Sequence, residues 1–326
     1  MILVGDIGGT KTNIAYFAAR GDLLTPTVVK SYPSQKYGSL TDIVTEFLRE
    51  HPGNVSAASF GIAGPVVDGR CEATNLPWVV DSRDVAGLLK RDMVGLLNDL
   101  EATAYGTLHL SAKDKLQIVS GTPHSRGTIA IIAAGTGLGE AGLVWDGVRY
   151  RTLPSEGGHA DFAPRNEVEI DLLRFLLKKY ERVSYERLLS GPGLYNLYQY
   201  FRSIATYPEP TWLQEQITAG EPAAVISNAG MQEKDEACVR TLDTFVSLYG
   251  AEAGNLALKL FSTGGVFIGG GIAPKIVTRI QKGTFRDSFT HKGRFGDLLS
   301  QIPVYVILND KAALYGAAHF ALLMSS

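Results

Sequence analysis

The sequence predicts an α/β protein on three observations. Short apolar runs alternate along the chain with segments of helical periodicity, the order that builds helices onto sheets. Glycine-rich turns sit where those apolar runs end, and they account for much of an unusual total of 36 glycines. The balance of 45% hydrophobic and 20% charged residues over 326 positions is that of a packed globular chain. The formal net charge of −2 excludes a disordered polyelectrolyte and gives no support to nucleic-acid binding through excess basic charge.

The elements follow in order. Ile2 to Asp6 is a short apolar strand, a Gly-rich turn follows, and Asn13 to Phe17 alternates as a second strand. Leu40, Ile43, Val44, Phe47 and Leu48 fall at helical spacing, with Ser39 as N-cap and Pro52-Gly53 as the stop. Strands are expected near 57–63 and over Val94 to Leu97, the latter running into Asn98-Asp99 and a helix-forming stretch. A second block opens with the buried strand Thr128 to Ile132. Helical patterns recur over 167–180, 193–204 and 232–262, and 205–222, with three prolines, reads as an irregular connection. Strands at Gly265 to Ile268 and Pro303 to Leu308 precede a final helix over 311–323. Strand, Gly-rich turn and strand at 2–17 recur at 129–145, a faint internal echo that reads either as two related halves or as two unrelated hairpins.

Two cysteines, Cys71 and Cys238, are too few for a disulfide scaffold or a Cys-rich zinc site. Asp6 interrupts the N-terminal apolar run where a signal peptide would continue it, and no run of about 18 apolar residues exists. The expectation is a cytoplasmic chain with no membrane span.

Two motifs fail their structural context. Gly5 to Thr12 nearly matches the phosphate loop of nucleotide hydrolases, but Thr10 stands where the second glycine belongs and a strand follows in place of a helix. Gly137 to Gly142 matches G-x-G-x-x-G, yet Leu143-Val144-Trp145 continues as strand where the dinucleotide fingerprint opens a helix. Each is instead a tight turn between two strands, where glycine lets successive backbone N–H groups approach an anion. Thr10, Lys11, Thr12 and Thr136 add hydroxyls and a cation to those turns. Two such turns suit a polyphosphate; two plain hairpins are the simpler reading.

A third segment, Gly264 to Pro274, runs a strand into Gly269-Gly270-Gly271 and a helix with Pro274 near its start. With D-I-G-G-T-K-T at 6–12 and A-G-T-G-L-G at 134–139, it is similar to the nucleotide-binding set of the actin-like ATPase and sugar-kinase superfamily. Leu97-Asn98-Asp99, Glu156 to Pro164 (E-G-G-H-A-D-F-A-P) and Glu186 to Gly193 extend the likeness over nearly the whole chain. Within that group the chain resembles the bacterial glucokinases. The resemblance implies two ribonuclease-H-like α/β domains flanking a deep cleft. The smaller would take 1–109 plus 309–326, and the larger 110–308.

It also implies a reaction, ATP-dependent phosphorylation of D-glucose with Mg2+. Asp99 is the expected catalytic base; the competing role for a carboxylate in that position is to cap the following helix. Asn98, Glu156, His159 and Glu186, together with Asp99, are expected on the sugar, whose ring of hydroxyls suits carboxylates and amides. Read singly, His159 and Glu156 would be a surface pair and Glu186 a solvated helix residue. Asp161 is left between bracing His159 and no role. Asp6 is expected to act on Mg2+ through water, or to satisfy turn amides. Gly8, Gly9, Thr10, Gly135, Thr136 and Gly137 are expected on phosphates, with Lys11 neutralising charge. Gly270, Gly271 and Ile272 are expected near the adenosine. Relatives that carry zinc have a Cys-rich motif after the conserved His; here Ala160-Asp161-Phe162 follows His159, so no protein-bound metal is expected. A homodimer is implied by the resemblance alone. The alternatives are a kinase for a related hexose or amino sugar, a sugar-responsive regulator without activity, and a filament-forming or chaperone-like actin relative.

Overall fold

The structure, a computed structural model, describes residues 1–21, 23–73, 75–205 and 208–325. The chain divides into two compact units, Met1–Lys115 with Val148–Leu153 and Asn309–Ser326, and Leu116–Gly147 with Pro154–Leu308.

In the first unit the strands are β1 (Ile2–Ile7), β2 (Lys11–Arg20), β3 (Leu23–Pro33), β4 (Ala57–Ile62), the small hairpin β5 (Arg70–Glu72) and β6 (Val79–Asp81), and β7 (Gly95–Asn98). The main sheet has the order β3-β2-β1-β4-β7. β1, β2 and β3 meander antiparallel, while β4 pairs parallel with both β1 and β7. Alternation along β1 divides two cores. Leu3 and Ile7 join Ile14, Phe60 and Phe47 of the helix Leu40–Glu50; Ile2 and Val4 join Phe17 and Leu314, Ala317 and Ala318 of the last helix, Ala312–Ser325. Ser39 caps its helix as expected, its hydroxyl accepting from the Asp42 N–H at 3.2 Å.

The second unit carries most of a six-stranded sheet. Its strands are β8 (Lys115–Val119), β9 (Ile129–Ala134), β10 (Leu138–Trp145), β11 (Tyr150–Ser155), β12 (Gly265–Gly269) and β13 (Val304–Ile307), in the order β11-β10-β9-β12-β13-β8. Strand β11 begins in the segment Val148–Leu153 assigned to the first unit. β9 and β10 form an antiparallel hairpin, and β9 pairs parallel with β12. This repeats the relation of β1 to β2 and β4, so the internal echo is topological. The 25-residue helix Glu236–Leu260 lies in the core of this unit through Leu242, Phe245, Val246, Tyr249 and Leu256.

Two expectations change. The stretch 205–222 contains a helix, Thr211–Ala219, which starts directly after Pro210 and buries Leu213. Proline is a poor signal of irregularity when it sits at a helix start, where its missing N–H costs nothing. β3 has no counterpart among the expected strands. It is an edge strand with most side chains exposed, and it accommodates Pro26 and Pro33 because an edge can spare ladder donors.

The helix Asp99–Thr107 packs closely on the last helix through two glycines. A methyl group on Gly316 would overlap the Ala102 carbonyl oxygen, and one on Gly106 would overlap that of Ala312. Gly316→Val should therefore destabilise the protein by about 1–3 kcal/mol, because neither backbone can yield without moving a helix. Gly87→Ala, in the helix Ser82–Leu89 with no atom within 4 Å of the added methyl, should stabilise by about 0.5 kcal/mol. Thermal unfolding of the two variants checks the opposite signs.

Candidate active site

In the first unit, three parallel strands deliver the expected residues to one sheet edge. Register pairs Asp6 with Gly61 and Ile62 with Asn98, so the carboxyl ends of β1, β4 and β7 lie side by side. Ligands of open α/β sheets bind at such an edge. Asp6 ends β1 and is part-buried; Nδ2 of Asn13 donates to its Oδ2 at 3.4 Å. Burial raises its pKa above the usual carboxylate range, Asp310 adds to the rise, and Asn13 and Lys11 oppose it. The turn after β1 is closed by the Gly8 N–H donating to the Lys11 carbonyl at 3.1 Å, and the Ser34 hydroxyl donates to the Gly8 carbonyl at 2.7 Å. Thr10 and Lys11 are exposed, Gly8 and Gly9 half-buried, and Thr12 is buried, its hydroxyl 2.9 Å from that of Ser34.

Asn98 caps the next helix. Its Oδ1 accepts from the Leu100 N–H at 2.9 Å, its Nδ2 donates to the Gly64 carbonyl at 3.0 Å, and its own N–H donates to Glu101 Oε2 at 3.2 Å in a capping box. With the Glu101 N–H also directed at Oδ1 in the capping box, one amide hydrogen is left over in the side chain's hydrogen-bonding inventory. Asp99 is the first helical residue, and its Oδ1 also accepts from the Leu100 N–H, at 2.8 Å. The capping role that competed for Asp99 thus falls to its neighbour. Thr152 secures the same helix, its hydroxyl donating to Glu101 Oε1 at 2.7 Å. Cys71, buried nearby, has its thiol pKa pushed up by burial and then by the Asp99 carboxylate.

In the second unit, the turn Gly135–Gly137 joins β9 to β10 and is closed by the Gly135 N–H donating to the Gly137 carbonyl at 2.8 Å. Thr136 at its tip is exposed. The Gly135 carbonyl accepts from the Gly191 N–H at 2.8 Å, which fixes the turn to the helix Gly191–Ser203. Glu186 lies at the same turn: its Oε2 accepts from the Leu138 N–H at 3.1 Å, and a methyl on Gly137 would stand 2.5 Å from it. Gly270 to Ile272 follow β12, whose Gly269 is in register with Ala133. Gly270 has φ +81°, and any side chain there would overlap the Ala134 carbonyl. The Ile272 N–H donates to that same carbonyl at 3.4 Å, so the segment expected near adenosine and the Gly135–Gly137 turn share one end of the β9–β12 pair.

Glu156 and His159 are exposed on a short turn over Gly157–His159. Gly158 is buried against the backbone of Leu138. Asp161 pairs with Arg182 at 2.9 Å, and Arg182 also donates to the His159 carbonyl at 2.6 Å, so the pair steadies the His159 backbone. The second unit therefore gathers Gly135–Gly137, Glu186, the 156–159 turn and 270–272; the first gathers Asp6, 8–11, Asn98 and Asp99. Sequence reasoning missed Glu140, Glu252 and Tyr185, which lie beneath the 156–159 turn and beside Glu186.

The fold and its two glycine-rich turns place the chain in the actin-like ATPase class, to which sugar kinases belong. Within it, a family model described as Glucokinase matches residues 3–324, and the chain belongs to the glucokinase family. A glucokinase of Nostoc sp. is 43% identical over 98% of both chains, and one of Synechocystis sp. is 40% identical over 97% of this chain and 96% of its own. Among solved structures, the glucokinase of an Antarctic psychrotroph is similar with a TM-score of 0.89 at 32% identity, covering 100% of this chain and 99% of that one.

Proposed function

We propose that this chain transfers the terminal phosphoryl group of ATP to the primary hydroxyl of D-glucose, with Asp99 as the base. Family membership supports the reaction. The observation that carries the role of Asp99 is that Asn98 caps the helix, so the adjacent carboxylate is not needed there. It sits at the sheet edge with Asp6 and the first turn.

Asp99 would accept the proton of the attacking hydroxyl as transfer proceeds, and would hold that oxygen in line. Asn98, with one amide hydrogen unassigned, would donate to a neighbouring hydroxyl. Glu156, His159 and Glu186 would take the others, and a site that hydrogen-bonds each hydroxyl rejects sugars that present them differently. Backbone N–H groups of the two turns and Lys11 would meet the phosphates; Gly270, Gly271 and Ile272 would border the adenosine.

The donor set fits Mg2+ held mostly by water and phosphate. Among the described residues no group of three or more His, Cys, Asp or Glu gathers to hold a metal, and Asp6 offers one part-buried carboxylate beside the phosphate turn. Mg2+ binds with one or two carboxylates and keeps several waters. When bound it supplies charge neutralisation on the transferring phosphates.

The same reading includes a cytoplasmic homodimer acting without nucleic acid or membrane. Among the described residues, no helix is long and apolar enough to cross a membrane. A panel of hexoses and amino sugars against ATP, ADP and polyphosphate tests the substrate pair. Glucose with ATP should give the highest kcat/KM, and a higher value for another sugar or donor would reassign the substrate.

A further inference from the structure

Glu140 points into the core from β10 and is 2% exposed; Glu252, on the helix Glu236–Leu260, is 0% exposed. Burial and the neighbouring Glu252 carboxyl both favour a proton on Glu140. Oε1 of Glu140 is buried with no hydrogen-bond partner among the described residues, an arrangement an ionised carboxylate would not tolerate. Glu252 has the better-supplied environment. Asn255 Nδ2 donates to it at 2.7 Å and Lys259 Nζ at 3.4 Å.

The pair sits under the residues expected to hold the sugar. Glu140 Oε2 lies against Gly157, so that a methyl on Gly157 would overlap it. Asn255 links Glu252 to Tyr185, which immediately precedes Glu186: its Nδ2 donates to Glu252 Oε2 at 2.7 Å and to the Tyr185 hydroxyl at 3.2 Å. One buried contact thus reaches both the turn bearing Glu156 and His159 and the segment bearing Glu186.

From this geometry we infer that Glu140 and Glu252 share one buried proton and act together as positioning residues for the sugar-binding turn. The inference rests on the sugar site proposed above. With one proton on the pair, the half-exposed Lys259 balances the remaining charge. Loss of that proton to solvent leaves two carboxylates facing each other, and their repulsion acts on the backbone at Gly157 and on Tyr185. The other ionisable groups around the pair are Tyr249 on the same helix as Glu252, Tyr185, and Lys292, whose ammonium burial disfavours. Burial, reinforced by Glu252, raises the Glu140 pKa to about 8.

The sign follows from linkage. An unfolded glutamate ionises near 4.5, so the folded chain holds the extra proton between that value and about 8. The stability contributed by this proton is fully present below the lower value and is lost as pH rises through the upper one. Glu140→Gln mimics the protonated group without titrating. Its Tm relative to the parent chain should climb steadily from about pH 5 to about pH 8.

Glucose affinity and Tm are measured from about pH 6 to about pH 9 for the parent chain, Glu140→Gln and Glu252→Gln. The parent should lose glucose affinity by about threefold or more across that range, while both Gln variants hold their low-pH affinity. Parallel Tm profiles in parent and variants would overturn the shared proton. A widening Tm gap with parallel glucose affinities would overturn the positioning role. Absence of glucose binding at every pH, with the Tm gap intact, would overturn the sugar site and the positioning role built on it, leaving the proton pair standing.

Discussion

Asp99→Asn should lower kcat by about 10²- to 10⁴-fold while leaving glucose affinity within a few-fold of its starting value. The amide keeps an oxygen to accept the Leu100 N–H, and its shape holds the helix start as the carboxylate does. What it lacks is the capacity to take a proton. Stability should move by less than about 1 kcal/mol, because the cap belongs to Asn98 and the change weakens a helix-dipole interaction. Equilibrium binding of glucose, single-turnover phosphoryl transfer and thermal unfolding separate the three quantities. A variant with near-normal turnover would return Asp99 to an ordinary place at the start of a helix. A variant that binds no glucose would make it a binding residue first.

Glu186→Ala should be the most damaging change in the second unit. It removes the acceptor for the Leu138 N–H at the head of β10 and the proposed contact to a sugar hydroxyl. A hydrogen bond to a charged group contributes about 1.5–3 kcal/mol, so the glucose KM should rise by about 10- to 150-fold. The ATP KM should rise by a smaller factor, because the Gly135–Gly137 turn is also held by its own closing bond and by Gly191. Glu186→Gln separates the two duties. Its amide oxygen can still accept from Leu138, so the ATP KM should return toward normal while part of the glucose defect persists. An effect confined to ATP in both variants would limit Glu186 to supporting the phosphate turn.

Much of this arrangement is legible in the sequence for local reasons. β1, β9 and β12 are continuous apolar runs ending in glycine-rich turns, so type and boundary coincide within one or two residues. The strand continuing after each glycine-rich turn, β2 and β10, is visible as alternation and correctly rejects both nucleotide-loop motifs. The Ser39 cap and the helix opening at Asp99 are signalled by capping chemistry within four residues. What stays hidden depends on distant parts of the chain. β3 is stabilised by pairing along β2 and buries few side chains, so its own residues carry a weak pattern. The sharing of duties between Asn98 and Asp99 depends on the Gly64 carbonyl, and the clamp on their helix depends on Gly316, far along the chain in the last helix. Glu140 reads as one polar residue in a Gly-rich strand. Only the fold shows that it faces Glu252 and lies beneath Gly157.

The rate of ADP release from Mg-ATP with and without glucose tests most directly whether glucose completes a site built for phosphoryl transfer from ATP. Saturating glucose should raise ADP release by orders of magnitude over the sugar-free rate, with one glucose 6-phosphate formed per ADP. ADP release that is indifferent to glucose, in a protein that binds ATP normally, would contradict it.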